Sequence, residues 1–217
     1  MKKQLLTVGD SFTYGDELTD RYQAWPYRLA DKLGYEVHNM GQSGCGNNSI
    51  LRRTLEQLAH THYDLVIIGW TYPGRIEWKD DIGNAYDLWP GYPSTTTLFE
   101  DHPWRVDFLN FISQHHNSAY LYQQYLIQTI LLQSFCQVNG IDYRMLDVQW
   151  HNYYRKVGSE MHVHDKLEAK IDTTKFIGWQ KFGMRELVAD LPKGPRNHPL
   201  EQGHERIANE IAKHIGN

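Results

Sequence analysis

The sequence predicts an α/β fold, a parallel sheet held between two layers of helices. Three features point to it. Short apolar runs of strand length recur along the chain, segments with apolar residues at helical spacing lie between them, and Gly, Pro or polar clusters mark the joints. The first strand is Leu5–Val8, an apolar run closed by Gly9. Trp25–Leu33 follows as a helix, with Pro26 at its start and Gly34 at its end. Glu36–Met40 is the second strand, and the polar stretch Gly41–Ser49 is a loop. Ile50–His60 is the second helix, with Asn48 or Ser49 as its cap. Asp64–Trp70 is the clearest buried strand, which completes a β-α-β-α-β start.

The later elements follow the same logic. Asn117–Val138 is a long helix ended by Asn139-Gly140, Ile141–Val148 is a strand, and Leu200–Ile215 is the final helix. Residues 72–116 break the rhythm with a stretch rich in Trp, Tyr, Pro, Asp and Gly, expected as an insertion beside the functional rim with a short helix near Trp104–Gln114. Gln149–Asp190 is polar and mixed, and no element is assigned to it. Ligands of such sheets sit at the carboxyl ends of the strands, so Ser11, Gly44 and Thr71, each just past a strand, are expected on one rim.

Composition sets outer limits. The chain has 217 residues, enough for one domain over 1–217 with a sizeable core, and 41% hydrophobic against 22% charged residues indicates a globular protein. A net charge of −4 without a long basic run argues against a nucleic-acid partner. No apolar stretch approaches the roughly 20 residues needed to span a bilayer, so no membrane partner is expected. The N-terminal segment Met1–Val8 reads as a strand rather than an export signal. A cytoplasmic location is therefore expected, and a phage particle or release by lysis fits the sequence equally. Cys45 and Cys136 are too few for a disulfide framework. His162-Val163-His164-Asp165 could set ligands on one face of a strand, but no Cys or Glu cluster completes a metal set, and neither metal nor cofactor is expected.

Two segments carry the chemistry. The head reads Val8-Gly9-Asp10-Ser11-Phe12-Thr13-Tyr14-Gly15, and the tail reads Asn197-His198-Pro199-Leu200-Glu201-Gln202-Gly203-His204. A serine hydroxyl becomes a useful nucleophile once a base takes its proton. A serine at the start of a helix also faces backbone N–H groups able to hold an oxyanion. Asn39-Met40-Gly41-Gln42-Ser43-Gly44 supplies glycines that let a bound carbonyl approach the backbone.

Together these blocks resemble the SGNH/GDSL hydrolase family. The resemblance implies a flavodoxin-like three-layer α/β/α fold and ester hydrolysis through an acyl-serine intermediate. It assigns Ser11 as nucleophile, His198 as base and the N–H groups of Ser11 and Gly44 as oxyanion donors, with Gly41 the alternative to Gly44. His204 would be structural and Asp10 a turn residue. Two positions depart from the family. Thr71 stands where an oxyanion asparagine is usual, so Thr71, Asn47 and Asn48 are alternative donors. Pro195 stands where an aspartate is usual, so the group orienting His198 is left open between a backbone carbonyl and a carboxylate such as Asp190 or Glu201. The implied substrate is a small acyl ester, foremost an acetyl ester on carbohydrate, with Trp78, Trp89, Tyr92 and Trp104 as stacking candidates. The rival expectation, resting on the two departures, is a weak or inactive carbohydrate-binding or assembly protein of the same fold.

Overall fold

A computed structural model of the chain describes residues 2–79, 85–88, 107–108, 110–111, 114–115, 117–149 and 161–215. The main sheet has five strands: β1 (Gln4–Gly9), β2 (Glu36–Gly41), β3 (Leu65–Trp70), β6 (Tyr143–Asp147) and β7 (Phe176–Ile177). Their order is β2-β1-β3-β6-β7, and every pairing is parallel. The helices are α1 (Ser11–Tyr14), α2 (Trp25–Leu33), α3 (Asn47–His60), α4 (Ser118–Val138), α5 (Met161–Glu168), α6 (Met184–Leu187) and α7 (Glu201–Lys213). This is the expected three-layer α/β/α arrangement.

The side-chain period of two explains how adjacent apolar residues serve both faces. Leu65 and Ile67 join Leu5, Trp25, Leu29 and Ile207 on the α2/α7 side. Val66 and Ile68 join Leu6, Ile50, Leu126 and Met145 on the α3/α4 side. A strand with both faces covered must be apolar throughout, and all six residues of β3 are buried.

Parallel register brings the carboxyl ends of the strands to one edge. Gly9 of β1 is level with Gly41 of β2, and Val8 is level with Ile68 of β3. The approach is close at Gly41, where a Cβ would lie 2.4 Å from the amide nitrogen of Tyr14. Only glycine lets the end of β2 seat against α1 there.

Several boundaries differ from expectation. Helix α3 begins at Asn47 with Gly46 as its N-cap, so neither Asn48 nor Ser49 caps it. The side chain of Asn47 is instead bonded to the backbone of Thr71. His164 and Asp165 lie on α5, a helix rather than a strand, and the stretch left unassigned contains α5, β7 and α6. Within 72–116, β4 (Ile76–Lys79) and β5 (Ala85–Leu88) form an antiparallel pair, and the described residues 107–108, 110–111 and 114–115 are helical. Cys45 and Cys136 are both buried free thiols, and burial pushes Cys136 up to about 12. Among the described residues no helix is long and apolar enough to cross a membrane, and no His, Cys, Asp and Glu cluster could hold a metal.

Candidate active site

Ser11 is the first residue of α1 and is 4% exposed. Asp10 builds the turn beneath it. One carboxylate oxygen accepts from the Phe12 amide at 2.9 Å, capping the helix. The other accepts from the Thr71 hydroxyl at 2.7 Å and from the Arg75 guanidinium at 2.9 Å. The amides of Thr13 and Tyr14 donate to the Asp10 carbonyl. Asp10 is therefore a buried hub that fixes the serine turn, consistent with its expected turn role. Arg75, which sequence reasoning missed, is its counter-charge.

The oxyanion candidates separate clearly. Gly44 is exposed, with φ of +80° and open space around it. Thr71 is fully buried, and its one hydroxyl hydrogen is donated to Asp10. The Asn47 amide closes on the Thr71 backbone, donating to its carbonyl at 3.1 Å and accepting from its N–H at 2.9 Å. Asn48 faces the other way and accepts from Gln128 on α4. Each of the three expected side-chain donors therefore has another partner in this structure: Thr71 bonds Asp10, Asn47 ties α3 to the backbone just past β3, and Asn48 joins α3 to α4. Beside them lies a cavity of about 190 Å³ lined by Asn47, Asn48, Arg75, Tyr120, Gln124 and Gln128, among others.

His198 lies in a loop that folds back onto the segment after α1. Its Nδ1 is 2.9 Å from Oε2 of Glu17, and its own amide donates to the same oxygen at 3.1 Å. The Arg196 amide donates to Oε1 of Glu17 at 2.8 Å. The imidazole ring packs on Phe12, the neighbour of Ser11, with centroids 5.6 Å apart. Nε2 of His198 lies 4.0 Å from the Asp16 carboxylate, which also accepts from the Ser43 hydroxyl at 2.5 Å. The hydrogen bonds among the described residues do not include one from Ser11 Oγ to the imidazole. Such contacts are often long in unliganded sites and tighten with substrate.

Glu17 therefore holds the imidazole: the orienting group is a carboxylate, one of the two kinds expected, but neither of the two residues named for it. Asp190 pairs with Arg206 at 2.5 Å, and Glu201 opens α7. Burial pushes the Glu17 carboxyl up, but the Arg196 amide and the imidazole and amide of His198 outweigh it and leave it below its ordinary value. The loop is shaped for this contact. Asn197 N–H donates to the Gly194 carbonyl at 2.9 Å, a turn with Pro195 at its second position. A Cβ on Gly194 would lie 2.6 Å from the Glu17 carboxyl carbon. Pro195 is thus where it is because the loop needs a turn whose amides wrap a carboxylate supplied from elsewhere. The one sequence signal for Glu17 was an acidic pair, Asp16-Glu17, directly after Gly15.

His204 is structural. Its Nδ1 accepts from the Trp25 amide at 3.1 Å and so caps α2. Burial, with the Arg28 and His198 charges, lowers it to about 3. Trp78 is half-exposed and packs against Phe108 at 5.5 Å, while Trp89, Tyr92 and Trp104 lie outside the described residues.

Comparisons with known proteins bear on this geometry. No curated protein matches the sequence. Among solved structures, TesA superposes with a TM-score of 0.58 at 16% identity, covering 99% of this chain and 98% of that one. A member of the lipolytic protein G-D-S-L family from Veillonella parvula gives 0.51 at 14% identity, with 97% of each chain covered. A catalytic mutant of Axe2, an acetylxylan esterase from Geobacillus stearothermophilus, gives 0.53 at 16% identity, covering 99% and 94%. These likenesses establish the fold as that of SGNH/GDSL hydrolases. A family model matches residues 14–217, a span that takes in both Glu17 and His198, and the chain accordingly belongs to the family of unknown function DUF6071.

Proposed function

We propose that this protein is a serine ester hydrolase acting on small acyl esters, foremost acetyl esters on carbohydrate. The carrying observation is the 2.9 Å contact between Glu17 and Nδ1 of His198, on an imidazole packed against the residue next to Ser11. A carboxylate at Nδ1 holds the ring so that Nε2 can take a proton, and it stabilises the imidazolium that results. His198 would deprotonate Ser11, whose oxygen attacks the ester carbonyl. The backbone N–H groups of Ser11 and Gly44 would hold the oxyanion. Protonated His198 would then protonate the departing alcohol, and water would repeat the sequence to release the acid.

The acetyl and carbohydrate parts draw on the structural neighbours. These include an acetylxylan esterase and an esterase active on acetylated mannans. In this reading the whole chain works as one domain, and Trp78, Trp89, Tyr92 and Trp104 are proposed as stacking residues. Its setting is proposed as cytoplasmic, and neither nucleic acid nor membrane is proposed as a partner. Turnover of a chromogenic acetyl ester by wild type and Ser11→Ala tests the proposal. Loss of at least about 10³-fold in the variant is expected from removing the nucleophile. Equal turnover by the two proteins would remove Ser11 from the mechanism.

A further inference from the structure

Arg185 is a cation at the rim whose charge the hydrolytic chemistry does not use. It lies on α6, which is pinned to the carboxyl end of β6 because its amide donates to the Val148 carbonyl at 2.8 Å. The guanidinium carbon sits 5.7 Å from the ring centre of Phe12 and 5.8 Å from that of Tyr72. Phe12 follows Ser11 and packs on His198, and Tyr72 follows Thr71. Arg185 is thereby held between the two aromatic residues that flank the reactive segments.

Its polar complement is incomplete. Nε of Arg185 is buried without a hydrogen-bond partner. Among the described residues Arg185 has no carboxylate within ion-pair distance. Arg75 approaches the same Tyr72 ring at 5.5 Å, but its charge is matched by Asp10 at 2.9 Å. The next residue, Glu186, turns back to accept from the Gly183 amide at 2.7 Å. Buried donors are nearly always satisfied. Of the two guanidiniums beside Tyr72 whose Nε is unpartnered, Arg185 also lacks a carboxylate among the described residues, which suits it to an acceptor from outside the chain. Nε–H and the neighbouring Nη–H form two parallel donors, the edge that pairs with a planar carboxylate. The two rings beside the guanidinium lower the local dielectric, which strengthens such a pairing.

We infer that Arg185 receives a carboxylate of the substrate, so that the preferred ester carries an acidic group such as that of a uronic acid. The assignment rests on the ester-hydrolase reading for the bond that is cut, but the binding of a carboxylate does not. The test uses 4-acetoxybenzoate and its methyl ester, which differ only in that charge. The ratio of their kcat/KM values should favour the acid in wild type. It should fall about tenfold or more in Arg185→Gln, as expected for a lost charge-assisted contact, and less in Arg185→Lys. An unchanged ratio in Arg185→Gln would overturn the inference. A parallel titration of Ser11→Ala protein with 4-hydroxybenzoate, followed by NMR line broadening, needs no turnover. Binding that disappears when Arg185→Gln is added supports the assignment even if neither ester is cut. Absent binding, or binding that survives the substitution, refutes it, as does binding of inorganic phosphate in place of the carboxylate. Arg185→Met serves as the second variant should Arg185→Gln fail to fold.

Discussion

At the scale of single residues, the site is governed by where its carboxylates find donors. Glu17 collects three contacts, two from amides and one from the imidazole, and so adopts a φ of +68° that a non-glycine residue rarely holds. That backbone costs about 1–2 kcal/mol, and the three contacts offset it. If this carboxylate orients His198, Glu17→Gln should lower kcat by about 10²–10⁴-fold with little change in KM, and Glu17→Asp should recover part of the loss. Steady-state kinetics on a chromogenic acetyl ester would check this. Asp10 serves a different purpose. It is buried with Thr71 and Arg75, and Arg75→Met would leave that charge uncompensated. Such a variant should lose roughly 3–5 kcal/mol of stability in urea unfolding.

Among the elements, the decisive one is the loop from Lys193 to Pro199, whose ends are bridged to each other. Its fit to Glu17 depends on a missing side chain at Gly194 and on a left-handed Asn197 at φ of +71°. Gly194→Ala should push the Glu17 carboxyl away and lower kcat at least about tenfold, with secondary structure kept by circular dichroism. Asn197→Val should cost about 1–2 kcal/mol in denaturant unfolding, whereas Asn197→Gly should be nearly neutral. This loop also shows what the sequence could reveal and what it could not. Strands β1, β2 and β3 and helices α2, α4 and α7 were legible because burial imposes period and punctuation on them. Ser11 and His198 were legible because short motifs surround them. Glu17 was not, since a contact across 181 positions leaves no local pattern. Strand β7 was missed because two residues are too few to show alternation. The bond from Thr71 to Asp10 was not legible either, because a position in a motif says nothing of where a hydroxyl hydrogen points.

Over the whole molecule, the two chain ends are joined by contacts that double as stability elements. His204 of α7 caps α2, and Arg28 and Lys32 of α2 pair with Glu205 of α7. The pH response follows. His204 is lowered to about 3 in the folded state from an ordinary 6.5, so the unfolded chain binds the extra proton. Its contribution is fully present above pH 6.5 and is lost as pH falls toward 3, on the order of 5 kcal/mol across that window. Glu17, also lowered, adds a loss that begins as pH falls into the ordinary carboxylate range and continues below it. Urea unfolding at a series of pH values should therefore show a decline starting near pH 6.5. His204→Asn, which keeps an acceptor for the Trp25 amide without titrating, should flatten that part of the curve.

The arrangement of the whole fold has one chemical purpose in this account: to bring a proton acceptor from the C-terminal loop to a nucleophile on the first turn after β1. Labelling with a fluorophosphonate, followed by peptide mass mapping, reads that pairing directly. One phosphonyl group per chain on Ser11, slowed strongly by His198→Ala and by Glu17→Gln, is the predicted result. No modification of Ser11 in the folded wild-type protein, or modification equally fast without the imidazole, would contradict it.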